Sequence, residues 1–222
     1  MFKTDRYEVI EKAIPPEFAN FAYNYLLLKR QAVKYMYDSR ILPKNSPGLG
    51  TWAEDQVPGT YSTYGDFFME TMLISILPTM SKITGRELVP SYSYARVYKK
   101  GDKLYRHKDR DSCEFSCTIH LGGEPWAIYI DPTGQSGVES GNNTTTIVKA
   151  DAVPGKEVIL KPGDMMVYEG TILDHWREPF TGENHGQMFL HYADKNGPFG
   201  TSMLYDGRKM LGIQKDFYIW FC

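Results

Sequence analysis

The stretch YRHKDRDSCEFSCTIHLGG, Tyr105 to Gly123, is densely charged for ten residues and then turns apolar. His107 and Asp109 stand two apart. On an extended strand they point to one face and Lys108 points away. An imidazole and a carboxylate on one face can hold a divalent metal or merely decorate a solvated hairpin, and the tripeptide alone does not choose. A third ligand has to come from a distant strand. His175, in GDMMVYEGTILDHWREPF, follows a Pro-Gly-Asp turn and a strand-like run. Two imidazoles and one carboxylate take three adjacent corners of an octahedron and leave three open. A four-ligand structural zinc site would leave none. All five histidines, His107, His120, His175, His185 and His191, fall in the strand-patterned part of the chain, which favours the metal reading.

The elements that must position these groups fall in two textures. After Pro15-Pro16, the run EFANFAYNYLLLKRQAVKYMYDSR repeats Phe18, Phe21, Tyr25, Leu28 and Met36 near helical spacing, and Pro16 suits a helix start. Residues 41–65 are rich in Pro and Gly without a period, a long loop of the kind that forms lids and binding loops. Trp52, Tyr61 and Tyr64 in it read as a lid over substrate or as a cover for the barrel. Asp66 is placed to cap a second helix carrying Leu73, Ile76, Leu77, Met80 and Ile83, with a kink expected at Pro78 and a stop at Gly85. From Val89 on, short runs (SYSYARVY, EFSCTIHL, WAIYI, TTTIV, EVIL, MMVY, QMFLHY) alternate with turn signals and no helix intervenes. That pattern predicts an antiparallel sandwich or barrel with the N-terminal helices covering one face.

Composition bounds the partners. The 222 residues carry a formal net charge of −2, with 42% hydrophobic and 23% charged residues, as in ordinary globular proteins. Such a balance makes no electrostatic case for nucleic acid or membrane. No apolar run reaches the roughly 20 residues that span a bilayer, and MFKTDRYEVIEK has no apolar signal core. Cys113, Cys117 and Cys222 are odd in number, which argues against a disulfide framework and for a reducing, cytoplasmic setting. The sequons at Asn142 and Asn143 mean little without a secretory signal. Aromatic residues reach 14%, with 16 tyrosines. They read either as margins of a β core or as a pocket for a flat or carboxylated ligand. Dinucleotide, P-loop, HExxH and GxSxG patterns are lacking.

From about Leu88 to Asp194 the chain resembles the prolyl-4-hydroxylase-like branch of the 2-oxoglutarate- and iron(II)-dependent oxygenases, through YARVYKKGDKLYRHKD, FSCTIHLGG, LKPGDMMVYEG and HWREPFTGENHGQMFLHYAD. The resemblance implies a mainly β protein with N-terminal helices, its body a double-stranded β-helix, or jelly roll. It implies one domain over 1–222, divided into helical support and loop (1–87), β-helix (88–194) and C-terminal extension (195–222). It implies His107, Asp109 and His175 as Fe(II) ligands and hence the catalytic set. 2-Oxoglutarate and O2 would be co-substrates and ascorbate an accessory reductant. The implied reaction hydroxylates a peptidyl residue such as proline, or an amino-acid-like small molecule, and releases succinate and CO2.

In that family a Tyr stands nine or ten residues before HxD, and a basic residue about ten after the distal His meets the far carboxylate of 2-oxoglutarate. Those positions hold Tyr98 and His185 here, and a His at 185 departs from the usual Arg or Lys. Arg177 shares a face with His175 if HWR is extended, and a guanidinium suits a carboxylate better than an imidazole. His120 stands where relatives place a pocket Tyr. Tyr94 and Arg96 alternate with Tyr98 onto one face and are expected to line the cavity, with His191 as a wall. Two other readings stay open: a cupin-like metal-binding jelly roll of another enzyme class, and a non-catalytic ligand-binding jelly roll. Specificity is expected in residues 41–65, 131–143 and those after 197, and the oligomeric state has no readable code.

Overall fold

Alternation along the strands decides the architecture. In a computed structural model that describes residues 2–142 and 145–214, the chain runs α1 (Phe2–Asp5), β1 (Tyr7–Ile10), α2 (Pro16–Asp38), β2 (Tyr61–Tyr64), α3 (Phe67–Thr84), β3 (Leu88–Lys99) and β4 (Leu104–His107). It continues through β5 (Phe115–Gly123), β6 (Ile128–Ile130), β7 (Val138–Asn142), β8 (Thr145–Val148), β9 (Lys156–Val158), β10 (Met165–Glu169), β11 (His175–Arg177) and β12 (Asn184–Asp194), and ends in a 3-10 turn at Leu204–Gly207. Cys222, the sequon residues 143–144 and the end of the C-terminal extension lie outside the described residues. A six-stranded sheet, β1-β10-β5-β12-β3-β2, faces a four-stranded sheet, β4-β11-β6-β9, and β7-β8 form a separate hairpin. The pairings are antiparallel throughout, and the two facing sheets are the jelly-roll body expected from the strand pattern.

Each long strand of the larger sheet sends one parity to the helices and the other into the barrel. Ala95 and Val97 of β3, Cys117, Ile119 and Leu121 of β5, and Met188 and Leu190 of β12 join the core under α2 and α3. α2 packs on β5, and α3 on β3 and β12. The opposite parity, Tyr94, Arg96 and Tyr98, then Thr118 and His120, then His185, Phe189 and His191, points between the sheets. Polar groups thus enter the barrel because the same strands bury their apolar face elsewhere. Gly122 and Gly186 let α2 come close: a Cβ at either would stand 2.8 or 2.4 Å from the Tyr23 ring.

Asp66 caps α3 as expected, accepting from the Phe68 and Met69 amides, and Gly85 ends the helix in the left-handed region. Four local details differ from the sequence reading. Tyr61–Tyr64 is a strand inside the segment read as loop, and Tyr7–Ile10 adds an unread edge strand. Asp109 lies two residues beyond the end of β4 rather than on it. The face of α2 that packs inward is Ala19, Ala22, Leu26, Val33 and Tyr37, not the Phe18–Phe21–Leu28 stripe. No helix among the described residues is long and apolar enough to cross a membrane.

Candidate functional site

β4 and β11 pair with His107 opposite His175, which brings the two rings to 4.3 Å between centroids. Oδ1 of Asp109 lies 3.6 Å from His107 Nε2 and 3.5 Å from His175 Nε2. Each ring turns Nδ1 to a backbone carbonyl: His107 to Tyr105 O at 2.7 Å and His175 to Leu173 O at 3.1 Å. A carbonyl only accepts, so Nδ1 carries the hydrogen and the Nε2 lone pair faces the centre. Burial by itself would raise the Asp109 pKa, yet His175 and His107 hold it well below the usual carboxylate range. Burial works against the charged form of His175, but the Asp109 carboxylate raises its pKa. The Asp109 amide donates to Gly170 O at 2.9 Å, and only a bare Cα fits there, since a Cβ on Gly170 would come within 2.5 Å of Asp109 Oδ2. Three ligand atoms lie within 4.8 Å of one another. With both lone pairs aimed inward beside an ionised carboxylate, the set fits a divalent cation of borderline hardness such as Fe(II).

A second grouping, Asp109, Cys113 and His191, meets the same distance limit. It shares Asp109, so it competes for one ion rather than adding another. Burial pushes the Cys113 thiol well up, its sulfur sits 3.1 Å from the Tyr92 hydroxyl, and His191 Nδ1 is engaged with Ser116 Oγ at 2.8 Å. A protonated thiol is a poor ligand, and the two-histidine set is the better one.

A cavity of about 280 Å³ opens over the ligands, walled by Tyr92, Tyr94, Arg96, Tyr168, Phe189 and His191. Tyr94, Arg96 and His191 therefore stand where the strand pattern placed them. Tyr64 and Tyr94 are shared with an outer groove of about 670 Å³, formed largely by the segment between α2 and β2. Trp52 packs on Tyr61 at 4.8 Å and on Tyr37 at 6.2 Å, so it covers the barrel rather than the cavity.

The loop contributes two other residues that the sequence did not single out. Glu54 pairs with Arg96 at 2.8 Å, and Gln56 Oε1 accepts from Arg96 at 2.7 Å. Because a guanidinium only donates, this contact fixes the amide orientation. Gln56 Nε2 then faces His107 Nε2 at 3.2 Å. Arg110 was also missed, although it directly follows HxD. It lies 4.7 Å over the Tyr92 ring and forks onto Asp206 with two contacts of 2.9 Å. Tyr64 donates to the same carboxylate at 2.7 Å. Tyr205 and Asp206 hold φ of 54° and 57°, left-handed backbone that costs a non-glycine residue free energy. No local signal in residues 195–214 announced this contact.

The remaining predicted residues gather deeper, around Tyr98. Arg177 follows His175 by two on β11, pairs in register with Leu104 of the cavity wall, and is 1% exposed. Its Nη1 donates to Trp126 O at 2.6 Å and the guanidinium lies 4.8 Å over the Trp126 ring. Its Nε has no partner, no carboxylate pairs with it among the described residues, and burial pulls its pKa down to about 10. His185 sits between Glu124 O and Gln187 Oε1, each at 2.8 Å. Burial and the nearby Arg177 hold its pKa well below the ordinary imidazole value. Burial and Arg177 thus act against the positive charge that the basic position of the resemblance called for. His120 stacks on it at 4.4 Å, contacts Leu160 O and Gly122 O, and is also lowered by burial. Tyr98 is fully buried, and its hydroxyl accepts from Arg96 Nη1 at 3.3 Å.

No family model and no curated protein matches the chain. Solved structures do. A prolyl-4-hydroxylase of Pseudomonas putida aligns at TM-score 0.53 and 14% identity, over 87% of this chain and 95% of that one. The non-heme alpha-ketoglutarate-dependent carbocyclase SnoK of nogalamycin biosynthesis aligns at 0.58 and 12%, over 87% and 81%. HygX of Streptomyces hygroscopicus, solved with nickel and 2-oxoglutarate bound, aligns at 0.55 and 11%, over 88% and 85%. These likenesses establish the fold, a jelly roll of the kind seen in 2-oxoglutarate-dependent oxygenases.

Proposed function

We propose that the chain is an Fe(II)- and 2-oxoglutarate-dependent dioxygenase that hydroxylates a peptidyl residue of proline type or an amino-acid-like small molecule. The observation that carries this reading is one strand, His175-Trp176-Arg177, which presents an inward-facing metal ligand and, two residues on, a buried guanidinium without an anion. A buried cation without a counter-charge is costly, and a dicarboxylic co-substrate that chelates the metal at one end supplies that charge at the other. Bound at His107, Asp109 and His175, iron(II) would supply O2 activation coupled to decarboxylation of 2-oxoglutarate to succinate and CO2, with hydroxylation of a substrate C–H bond.

The chain's own groups do the positioning. Arg177 forks onto the far carboxylate, with the buried Tyr98 nearby. His120 and His185 stack on each other at 4.4 Å in the same buried region, and burial disfavours a positive charge on either. The tyrosine-lined cavity admits one side chain or a small molecule, and the outer groove accommodates what is attached to it. Solved relatives of the fold named for alpha-ketoglutarate dependence or holding 2-oxoglutarate support the co-substrate, and the prolyl-4-hydroxylase supports the substrate class.

Succinate release from 2-oxoglutarate under O2 with added Fe(II) tests the reading. The protein should turn over 2-oxoglutarate, and His107→Ala and Asp109→Ala should each abolish this while the circular dichroism spectrum stays native. Undiminished turnover in both variants removes HxD from the mechanism. Tight metal binding with no succinate under any condition returns the protein to the cupin-like or purely ligand-binding reading.

A further inference from the structure

Of the residues read from the sequence as the apolar stripe of α2, Tyr25 and Met36 pack against the core, whereas Phe18, Phe21 and Leu28, with the neighbouring Tyr35, face water. Phe18, Phe21, Leu28 and Tyr35 are 38%, 61%, 67% and 67% exposed. With Tyr25 and Ala32 they follow 3-4-3-4-3 spacing over 18 residues, the seam pattern of one helix against another. The stripe is ordered by its own contacts. Phe18 stacks on Phe21 at 6.4 Å, and Phe18, Phe21 and Tyr25 all touch Phe68 of α3 at 5.9, 6.2 and 5.1 Å. A surface already held in place loses little entropy on binding.

We propose that this stripe is the seam of a symmetric homodimer in which α2 packs antiparallel on the partner's α2. A two-fold axis passing between Leu26 and Leu27 sets Phe18 against the partner's Tyr35, Phe21 against the partner's Ala32, and Tyr25 against the partner's Leu28. Each large ring thus meets a smaller residue or a ring, and the surface is complementary to itself, as a two-fold interface requires. Charge does not oppose the contact. Lys29 is turned to Asp66 and Gly48 O, Arg30 to Asn184, and Lys34 pairs with Asp38, while the solvent edge of the stripe carries the neutral Asn24 and Gln31. The same arrangement disfavours an anionic lipid surface, which needs free cations beside the apolar face. From ordinary side-chain areas the exposed stripe amounts to roughly 400 Å² per copy. Doubled across the axis and bordered by its rim, it reaches about the 1,000 Å² that a specific interface needs.

Sedimentation velocity on the full chain from about 1 to 100 µM, the range in which an interface of this size dissociates, tests the seam. The expected result is a species of twice the 25.4 kDa chain mass at the upper end. Phe21→Glu and Leu28→Glu should each raise the dissociation constant at least about tenfold. Leu28 is 67% exposed, so Leu28→Glu should leave thermal melting below the dissociation constant unchanged, while Phe21→Glu also loses its ring contacts with Phe18 and Phe68 and is read against its own monomer melt. The register is read by a double variant, Phe21→Cys with Ala32→Cys, which should oxidise to an intermolecular disulfide that neither single variant forms. A 25.4 kDa species at every concentration, or a dimer indifferent to both glutamates, overturns the proposal. A monomer that sediments with anionic vesicles assigns the stripe to lipid and overturns it as well.

Discussion

Arg177 is the residue on which the co-substrate reading turns, because it is buried, charged and unpaired at Nε. Arg177→Met should weaken 2-oxoglutarate binding to the Zn(II)-loaded protein by about 100-fold, the loss expected for a buried bidentate pair. Isothermal titration calorimetry reads this, and Zn(II) affinity itself should hold. Urea unfolding of the free protein should show no destabilisation, since the substitution also removes an uncompensated charge. Lysine at 177 should restore little, because an ammonium cannot reproduce the fork. The same geometry sets a pH signature. Arg177, at about 10, stays charged across neutrality, and His185, lowered by burial, stays uncharged. Affinity for 2-oxoglutarate should therefore be flat between about pH 6 and 8.5. A decline with rising pH, following an imidazole near its ordinary value of about 6.5, would make His185 the anchor and sink the assignment to Arg177.

At the scale of elements, the site depends on close approaches between segments. Gly170, just after β10, lets the Asp109 carboxylate lie where a Cβ would intrude at 2.5 Å. Gly170→Ala should push Asp109 off its position and weaken metal binding roughly ten- to a hundred-fold, the usual effect of disturbing a ligand's support. Equilibrium dialysis with Co(II) checks it. Asp66 ties three pieces together. It caps α3 through two amides, accepts from the Tyr25 hydroxyl at 2.7 Å, and pairs with Lys29 of α2. Asp66→Ala loses a cap and leaves a half-buried cation unpaired, and should cost about 3 kcal/mol in denaturant unfolding. A loss below about 1 kcal/mol would show that α2 and α3 are held by apolar packing alone.

For the whole molecule, a barrel lined with polar groups has a consequence for acid stability. His191 is held down at about 4 by burial, and His120 and His185 are lowered by the same cause. Between the folded and unfolded pKa values the unfolded chain binds more protons. Stability should therefore fall as pH drops from about 6.5 to about 4, with His191 alone contributing roughly 3 kcal/mol. Thermal melts across that range read it. A melting temperature unchanged between pH 7 and 4.5 would mean that these imidazoles take up protons in the folded state.

Spacing and residue type made the candidate metal set legible. A His and an Asp two apart, a strand-like run, and a second His beyond it could be picked out from spacing and residue type, although Asp109 lies past the end of β4 and its side is set by the backbone contact with Gly170, not by strand period. The caps of α3 were legible for the same local reason: Asp66 and Gly85 act on backbone within a few residues of themselves. Convergence was not legible. That His107 faces His175 is a matter of register between β4 and β11, and register is set by the whole sheet. Gln56, Glu54 and Asp206 enter the site from segments with no period, where only the folded chain says what lies opposite. The charge on His185 was decided by burial beside Arg177, and which of α2's two apolar stripes packs inward was decided by the sheet beneath it. Residue type and spacing thus determined which groups are able to do the chemistry. Tertiary structure decided which of them meet, which are charged and which face water, because distance, dielectric and solvent access belong to the folded chain and not to its sequence.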